Sequence, residues 1–279
     1  MIIGCFILTF ISGRRTTGHF FESSFSGRIC DAICEKVGEY KSMRKILITN
    51  DDGIGADGIV RLAKAAVEFG EVWVVAPECQ RSAMSHGITL RHSIEAWNVD
   101  FPVPGVHAFA CDGTPADCVR IGVLNIVPGK PDHVFSGINY GYNVASDLQY
   151  SATAGAAFEA AFQKVHTIAF SEDACEIHEV TDRYLHEIIA ELLHKPLAIN
   201  QIWNVNFPGC KLAQCNGILR GREVSTDEFY ADRYMETQVS EGRVSYMVEG
   251  IRNYHALEGT DLKAILDHYV SVGIATNIS

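Results

Sequence analysis

Between Lys45 and Pro77 the hydrophobic pattern changes period twice, and this restricts the fold more than anything else in the chain. Lys45-Ile46-Leu47-Ile48-Thr49 is a short apolar run ending in polar residues, which predicts a buried strand. Asp57 stands where it would cap a helix. The apolar residues Ile59, Leu62, Ala63, Ala66 and Val67 follow at helical spacing, and Gly70 stops them. Val72 to Ala76 is a second apolar run, closed by Pro77. Strand, helix and strand within about 35 residues make a βαβ unit, which requires parallel strands joined by a right-handed crossover.

The alternation continues. Ile88–Trp97 and His107–Cys111 predict shorter strands, and Thr114-Pro115 begins a helix that runs through Val119 and Val123. A strand at His133–Phe135 ends in Ser136-Gly137, and a polar loop follows to Tyr150. Ala154–Gln163 predicts an alanine-rich helix and Thr167–Phe170 a strand. Asp182–Leu193 predicts an amphipathic helix, and Ile202–Phe207 a strand ended by Pro208-Gly209. The pattern predicts an α/β fold: Rossmann-like, doubly wound, with a mostly parallel sheet. After about Cys210 the alternation fails. Gly217–Val224 and Arg243–Val248 read as two strands of a long C-terminal hairpin or arm, and Asp261–His268 as a short helix. Arms of this kind exchange elements between subunits. Residues 43–279 are therefore expected to be one domain, with about 215–279 as the arm and swapped elements.

Residues 1–42 have a different character. Met1 to Ser12 is almost wholly apolar but falls short of the roughly 20 residues a membrane span needs. Arg14 and Arg15 follow this run, whereas a secretory signal would place basic residues before it. The expectation is an N-terminal appendage outside the fold, with no stable membrane association. The net charge of −11 argues against long nucleic acid, whose binding depends on basic side chains that release counterions. Nine cysteines without a C-x-x-C pair predict reduced thiols and a cytoplasmic protein.

The loop after the first strand, Thr49-Asn50-Asp51-Asp52-Gly53-Ile54-Gly55-Ala56-Asp57-Gly58, lies where open α/β sheets bind ligands. Three readings are open. Gly53, Gly55 and Gly58 spell G-x-G-x-x-G, and Glu78 stands where the ribose-binding acid of an NAD-type site is expected. Against this, two carboxylates within about 5 Å of a pyrophosphate would each repel it by several kcal/mol. In the second reading Asp51 and Asp52 converge on a hard divalent cation, Mg²⁺ or Mn²⁺, which makes the loop attractive to phosphate. Gly53 then bends the chain and exposes backbone N–H groups. The third reading is a plain Asn-Asp-Asp-Gly turn.

Two further strand exits favour the cation. Ser82 and Asn139 follow later strands on the same sheet edge and offer neutral oxygens to complete its shell. Ser151 and Thr153 open a helix whose first N–H groups suit a phosphate or an ordinary N-cap. His86 is a candidate acid for the leaving group.

Ile-Leu-Ile-Thr-Asn-Asp-Asp-Gly-Ile (46–54), Val-Val-Ala-Pro (74–77) with Arg81-Ser82, and Gly-Thr-Pro-Ala-Asp-Cys-Val (113–119) stand in order with two later motifs. These are Ser-Gly-Ile-Asn-x-Gly-x-Asn (136–143) and Asn-Val-Asn-Phe-Pro (204–208). Together they resemble the SurE family of survival-protein nucleotidases. The resemblance covers roughly Met43 to Gly209 well. It implies one divalent metal ion per subunit, held by Asp51, Asp52, Ser82 and Asn139, with Asp51 and Asp52 also catalytic. Asn143 joins Asn50, Gly53, Ser151 and Thr153 as the phosphate- and substrate-binding set. The implied activity is hydrolysis of nucleoside 5′- and 3′-monophosphates, as a 5′-nucleotidase of acid-phosphatase type, by a homodimer or homotetramer. The alternatives are an NAD-type dinucleotide-binding protein or a non-catalytic nucleotide-binding module on the same fold. The chain departs from the family at Ala152 (usually Gly), at Tyr142 (usually Pro) and at Gly273-Ile274-Ala275 (usually Thr-Pro-Leu).

Overall fold

The computed structural model describes residues 43–240 and 242–278, so the expected appendage at 1–42 lies outside the described residues. In chain order the elements begin with β1 (Lys45–Thr49), α1 (Asp57–Ala66), β2 (Glu71–Pro77), β3 (Ala96–Asn98), β4 (His107–Cys111) and α2 (Pro115–Ile121). They continue with β5 (His133–Tyr140), α3 (Ala152–Phe162), β6 (His166–Glu172), α4 (Glu179–Leu192) and β7 (Gln201–Phe207). The last are β8 (Ile218–Arg222), β9 (Tyr230–Ser240), β10 (Arg243–Arg252), α5 (Asp261–Leu266) and β11 (Val270–Thr276).

Nine strands form one sheet in the order β3-β4-β2-β1-β5-β6-β7-β11-β8. From β4 to β7 all neighbours are parallel. The chain leaves β1 toward β2 on one side and returns to β5 on the other, so the order reverses between β1 and β5. That reversal opens a crevice beyond the carboxyl ends of the strands.

Alternation along β1 explains why helices cover both faces. Ile46 and Ile48 join one apolar cluster with Ile59 and Leu62 of α1 and Ile188 of α4. Leu47, on the opposite face, packs with Val119 of α2 and Ala156 and Ala160 of α3. Every residue of α3 from Ala152 to Ala161 is buried. Its alanines let the helix sit close to the sheet.

Four local expectations are corrected. The N-cap of α1 is Ala56, and Asp57 is its first helical residue. Of the expected Ile88–Trp97 strand only Ala96 and Trp97 pair, together with Asn98 beyond its end, at the edge of β4; the rest has no neighbouring strand and leaves Leu90 exposed. β5 runs on through Gly137 to Tyr140, with a register shift against β6 between Ser136 and Asn139. Gly217–Val224 does not join the arm: β8 pairs in parallel with β11, and the arm is β9 against β10. Every described residue of β9 is exposed, so it carries no one-sided apolar pattern to reveal it.

At the opposite end of the sheet His133 and His166 face each other on β5 and β6, with Nδ1 atoms 3.1 Å apart. His166 Nε2 lies 2.8 Å from the Lys195 carbonyl and must donate to it, so its Nδ1 accepts from His133. Burial, with His166 next in weight, lowers the His133 pKa to about 4. The unfolded chain therefore binds the proton more tightly, and the stabilising contribution is complete above the unfolded value near 6.5. It is lost as pH falls through 4. Wild type is expected to lose about 3 kcal/mol more than His133→Gln between pH 7 and pH 4, read from urea unfolding at each pH.

Gly58 gives a second test. A Cβ there would lie 2.1 Å from the Ile138 carbonyl oxygen, whereas one at Gly55 would meet nothing within 4 Å. Gly58→Ala should destabilise by about 1–3 kcal/mol. Gly55→Ala should change stability by under about 0.5 kcal/mol in the same thermal melts.

Candidate functional site

The site begins at the carboxyl end of β1. Leaving the strand, Asn50 and Asp51 are still buried, so the loop enters the crevice rather than solvent. Gly53 adopts φ +98°, which turns the chain, and Ile54 N–H donates to the Pro77 carbonyl to pin the turn against β2. Hydrogen bonds then draw three other segments to this loop. The Arg81 N–H donates to the Asp51 carbonyl at 2.7 Å. The Tyr140 N–H, at the end of β5, donates to Asp52 Oδ2 at 2.9 Å. Thr153 Oγ1, in the first turn of α3, donates to Asp51 Oδ1 at 2.6 Å.

The 81–89 segment is also anchored to the loop before α3. Ser85 N–H donates to the Tyr150 carbonyl, and Ser85 Oγ to the Gln149 carbonyl at 2.7 Å. A Cβ at Gly155 would stand 2.3 Å from the Ser85 carbonyl oxygen, so this approach depends on glycine at that point of α3.

Both carboxylates are pushed above the ordinary range. Burial raises Asp51 to about 6 against the opposing hydrogen bond from Thr153, and Asp52 adds repulsion. Burial also raises Asp52, opposed by Tyr140 N–H and the Gln80 side chain. Among the described residues, the ion pairs involve neither acid. No three His, Cys, Asp or Glu side chains of the described residues gather as a metal-binding set, so a cation here requires the neutral oxygens as well. The donors at hand are all oxygen, which suits a hard cation. The Asn50 side-chain oxygen is buried without a partner, so the loop retains unspent acceptor capacity. On these observations the residues fit a divalent cation.

The expected site residues are placed as follows. Asp51 and Asp52 lie together at the centre of the hydrogen bonds. Asn139 and Ser82 are on segments tied to them, Asn139 next to Tyr140 and Ser82 next to Arg81. The Asn139 amide donates to the Gly141 carbonyl, and Ser82 is exposed. Thr153 touches Asp51 directly. Ser151 caps α3, its Oγ accepting from Ala154 N–H at 3.0 Å. The Asn50 amide closes the turn on the Gly53 carbonyl at 2.9 Å. Asn143 has a bracing part. It is buried, donates to Ser171 Oγ and is bonded by Asn204 and Asn206, so it braces the loop after β5 against β6 and β7. His86 is engaged too, with Nε2 2.9 Å from buried Glu159 and its ring on Phe162. Tyr142 packs edge-on against Phe229, and its hydroxyl accepts from Gly209 N–H.

Sequence reading missed the Tyr140 N–H and Gln80, which bear on Asp52, and an adjoining cleft. This cleft of about 360 Å³ is lined by Asp52, Gln80, Tyr140, Glu172, Glu176 and His178 among others. Glu172 ends β6, so the rule that picked out Ser82 and Asn139 as strand exits applies to it equally.

Comparison with known proteins shows the family. The family described as Survival protein SurE matches residues 46–227. The chain is 37% identical over 231 residues to the 5′-nucleotidase SurE of Clostridium botulinum (strain Loch Maree / Type A3), an alignment covering 81% of this chain and 90% of that protein. It is 37% identical over 236 residues to the 5′-nucleotidase SurE of Alkaliphilus metalliredigens, covering 82% and 91%. The crystal structure of the SurE protein from Aquifex aeolicus superposes with a TM-score of 0.72 at 32% identity, covering 84% of this chain and 94% of that one. On the family match and on identity over most of its length, the chain belongs to the SurE survival-protein family.

Proposed function

We propose that this chain is a 5′-nucleotidase that hydrolyses nucleoside 5′- and 3′-monophosphates to nucleoside and phosphate, with one Mg²⁺ or Mn²⁺ per subunit. The observation that carries this is the pair Asp51 and Asp52. They are held in one crevice by Thr153 and Tyr140, with no ion-pair partner among the described residues. The curated relatives named above are 5′-nucleotidases, which supports the same reading.

In this reading Asp51, Asp52, Ser82 and Asn139 hold the cation. When bound, it supplies positive charge and Lewis acidity beside the phosphate. The chain's own groups position and move protons. Thr153 and Tyr140 fix the carboxylates, which orient the attacking water and take its proton. The first turn of α3 presents the N–H groups of Ala152 and Thr153, which have no intrahelical acceptor, toward phosphate oxygens. Ser151 sets that turn by taking the Ala154 N–H for itself. Asn50 acts on the phosphate through the Gly53 turn it closes, and Asn143 through the loop it braces.

The exposed arm supports an oligomer. Tyr234, Met235, Tyr246, Met247 and Val248 of β9 and β10 are all exposed. A second copy of the chain would remove such apolar surface from water. The six cysteines among the described residues are free, and no helix there is long and apolar enough to cross a membrane, which fits the cytoplasmic assignment.

Two outcomes test this. Purified protein with Mn²⁺ or Mg²⁺ should release phosphate from nucleoside monophosphates. EDTA should abolish the release, added metal should restore it, and Asp52→Asn should lower kcat at least roughly 100-fold. Phosphate release that survives chelation would reject the metal reading. Light scattering should give a dimer or tetramer mass, and the double substitution Tyr246→Asp, Met247→Asp should reduce it. A monomeric wild type would reject the oligomer.

A further inference from the structure

The cleft beside Asp52 contains a second pair of ionisable side chains. Glu172 stands opposite Tyr140 in the β5–β6 register, so it emerges at the same sheet edge as the proposed metal-binding residues. It is buried, and its carboxylate accepts from Arg61 Nη1 and from Thr181 Oγ1, each at 2.6 Å. His178 Nδ1 lies 3.0 Å from Oε1 of the same group without forming a hydrogen bond to it.

Two features separate His178 from a structural histidine. It occupies the N-cap of α4, yet its side chain caps nothing, and this position ordinarily selects Ser, Thr, Asp or Asn. Its Nδ1 is fully buried while the side chain as a whole is 27% exposed. Nε2 is not among the buried, unpartnered atoms, so that nitrogen keeps access to solvent, and His178 lines the cleft with Asp52. The charges around that ring are Glu172 on β6 with Arg61 of α1 behind it, Glu176 on its own segment, and Asp52 and Asp57 across the cleft.

We infer that His178 protonates the leaving oxygen of the phosphate ester through Nε2, and that Glu172 is the residue positioning its ring. The inference rests on the phosphatase reading and supplies a part that reading lacks. A water oxygen bonds to phosphorus as the bond from phosphorus to the nucleoside oxygen breaks. The bonding pair goes to the nucleoside oxygen, which takes the proton from Nε2. The proton of the attacking water passes to the Asp51–Asp52 pair; after the nucleoside and phosphate leave, the pair releases that proton to solvent and solvent reprotonates His178.

A nucleoside alkoxide needs this proton, whereas p-nitrophenolate is stable without it, so the two esters separate the roles. With Mg²⁺ present, His178→Gln should lower kcat/KM for a nucleoside 5′-monophosphate by about 10²–10⁴-fold. The loss on p-nitrophenyl phosphate should be smaller by at least roughly tenfold, and the Tm should stay within about 3 °C. If His178→Gln does not fold, His178→Asn carries the same ratio. Glu172→Gln should lower kcat on the nucleotide with KM unchanged. The nitrogen-15 resonance of His178 Nε2 in the Mg²⁺-loaded wild type should also move when the product nucleoside is added. Equal losses on the two esters, or an unmoved resonance, overturn the role of His178 alone. Wild type inactive on both esters overturns the phosphatase reading and this inference with it.

Discussion

The withdrawal from water of two adjacent carboxylates, Asp51 buried and Asp52 half-buried, at the point where the strand order reverses is the constraint from which the rest of the site follows. A charged group taken out of water resists ionisation unless something compensates it. Here the compensation within the chain is partial: the Thr153 hydroxyl with the backbone N–H groups of Asp51 and Thr153 for Asp51, and one backbone N–H with one amide for Asp52. A fold optimised only for stability would place an arginine beside such a pair, as it does at Glu172 and Glu159. Other buried acids are compensated in two ways: Glu172 and Glu159 by basic partners, and Asp117 and Asp261 by backbone N–H groups. Asp51 and Asp52 have no ion-pair partner among the described residues, and Asp52 lines the open cleft.

The parts that hold these carboxylates are small residues and backbone groups, not large side chains. Gly58 lets α1 touch β5 at Ile138, Gly155 lets the 81–89 segment touch α3, and alanines let α3 sit on the sheet. At these approaches the Tyr140 N–H reaches Asp52, the Arg81 N–H reaches the Asp51 carbonyl, and the Thr153 hydroxyl of α3 reaches Asp51. The precision of the site thus depends on interhelical and helix–strand spacing, set by atoms far from the chemistry.

This also explains what the sequence revealed. The parallel core was legible because strands buried on both faces are continuous apolar runs, and the helices between them repeat at the 3.6 period. The Thr114-Pro115 helix start was equally plain, since Thr114 and Asp117 form a capping box. β9 was not legible, because a strand exposed along its described length has no burial pattern to betray it. Nor was the place of β8, since its partner β11 lies about 50 residues downstream and only tertiary pairing chooses it. Of the proposed site residues, Asp51, Asp52, Ser82 and Asn139 are put forward from residue type and strand exit. The bracing part of Asn143 could not be read that way, because it depends on Ser171, Asn204 and Asn206 arriving from two other strands.

Glu172 shows the same limit from the other side. As the last residue of a buried strand it reads as a polar terminator, one more sign that the strand has ended. Its meaning appears only once β6 lies against β5 and α1 brings Arg61 behind it. The guanidinium then holds a buried carboxylate beside a histidine that lines the same cleft. One acid at a strand end, read alone, is punctuation. Two strand ends in register, at Tyr140 and Glu172, define the walls of one cleft, and the chemistry available there is a property of the pair.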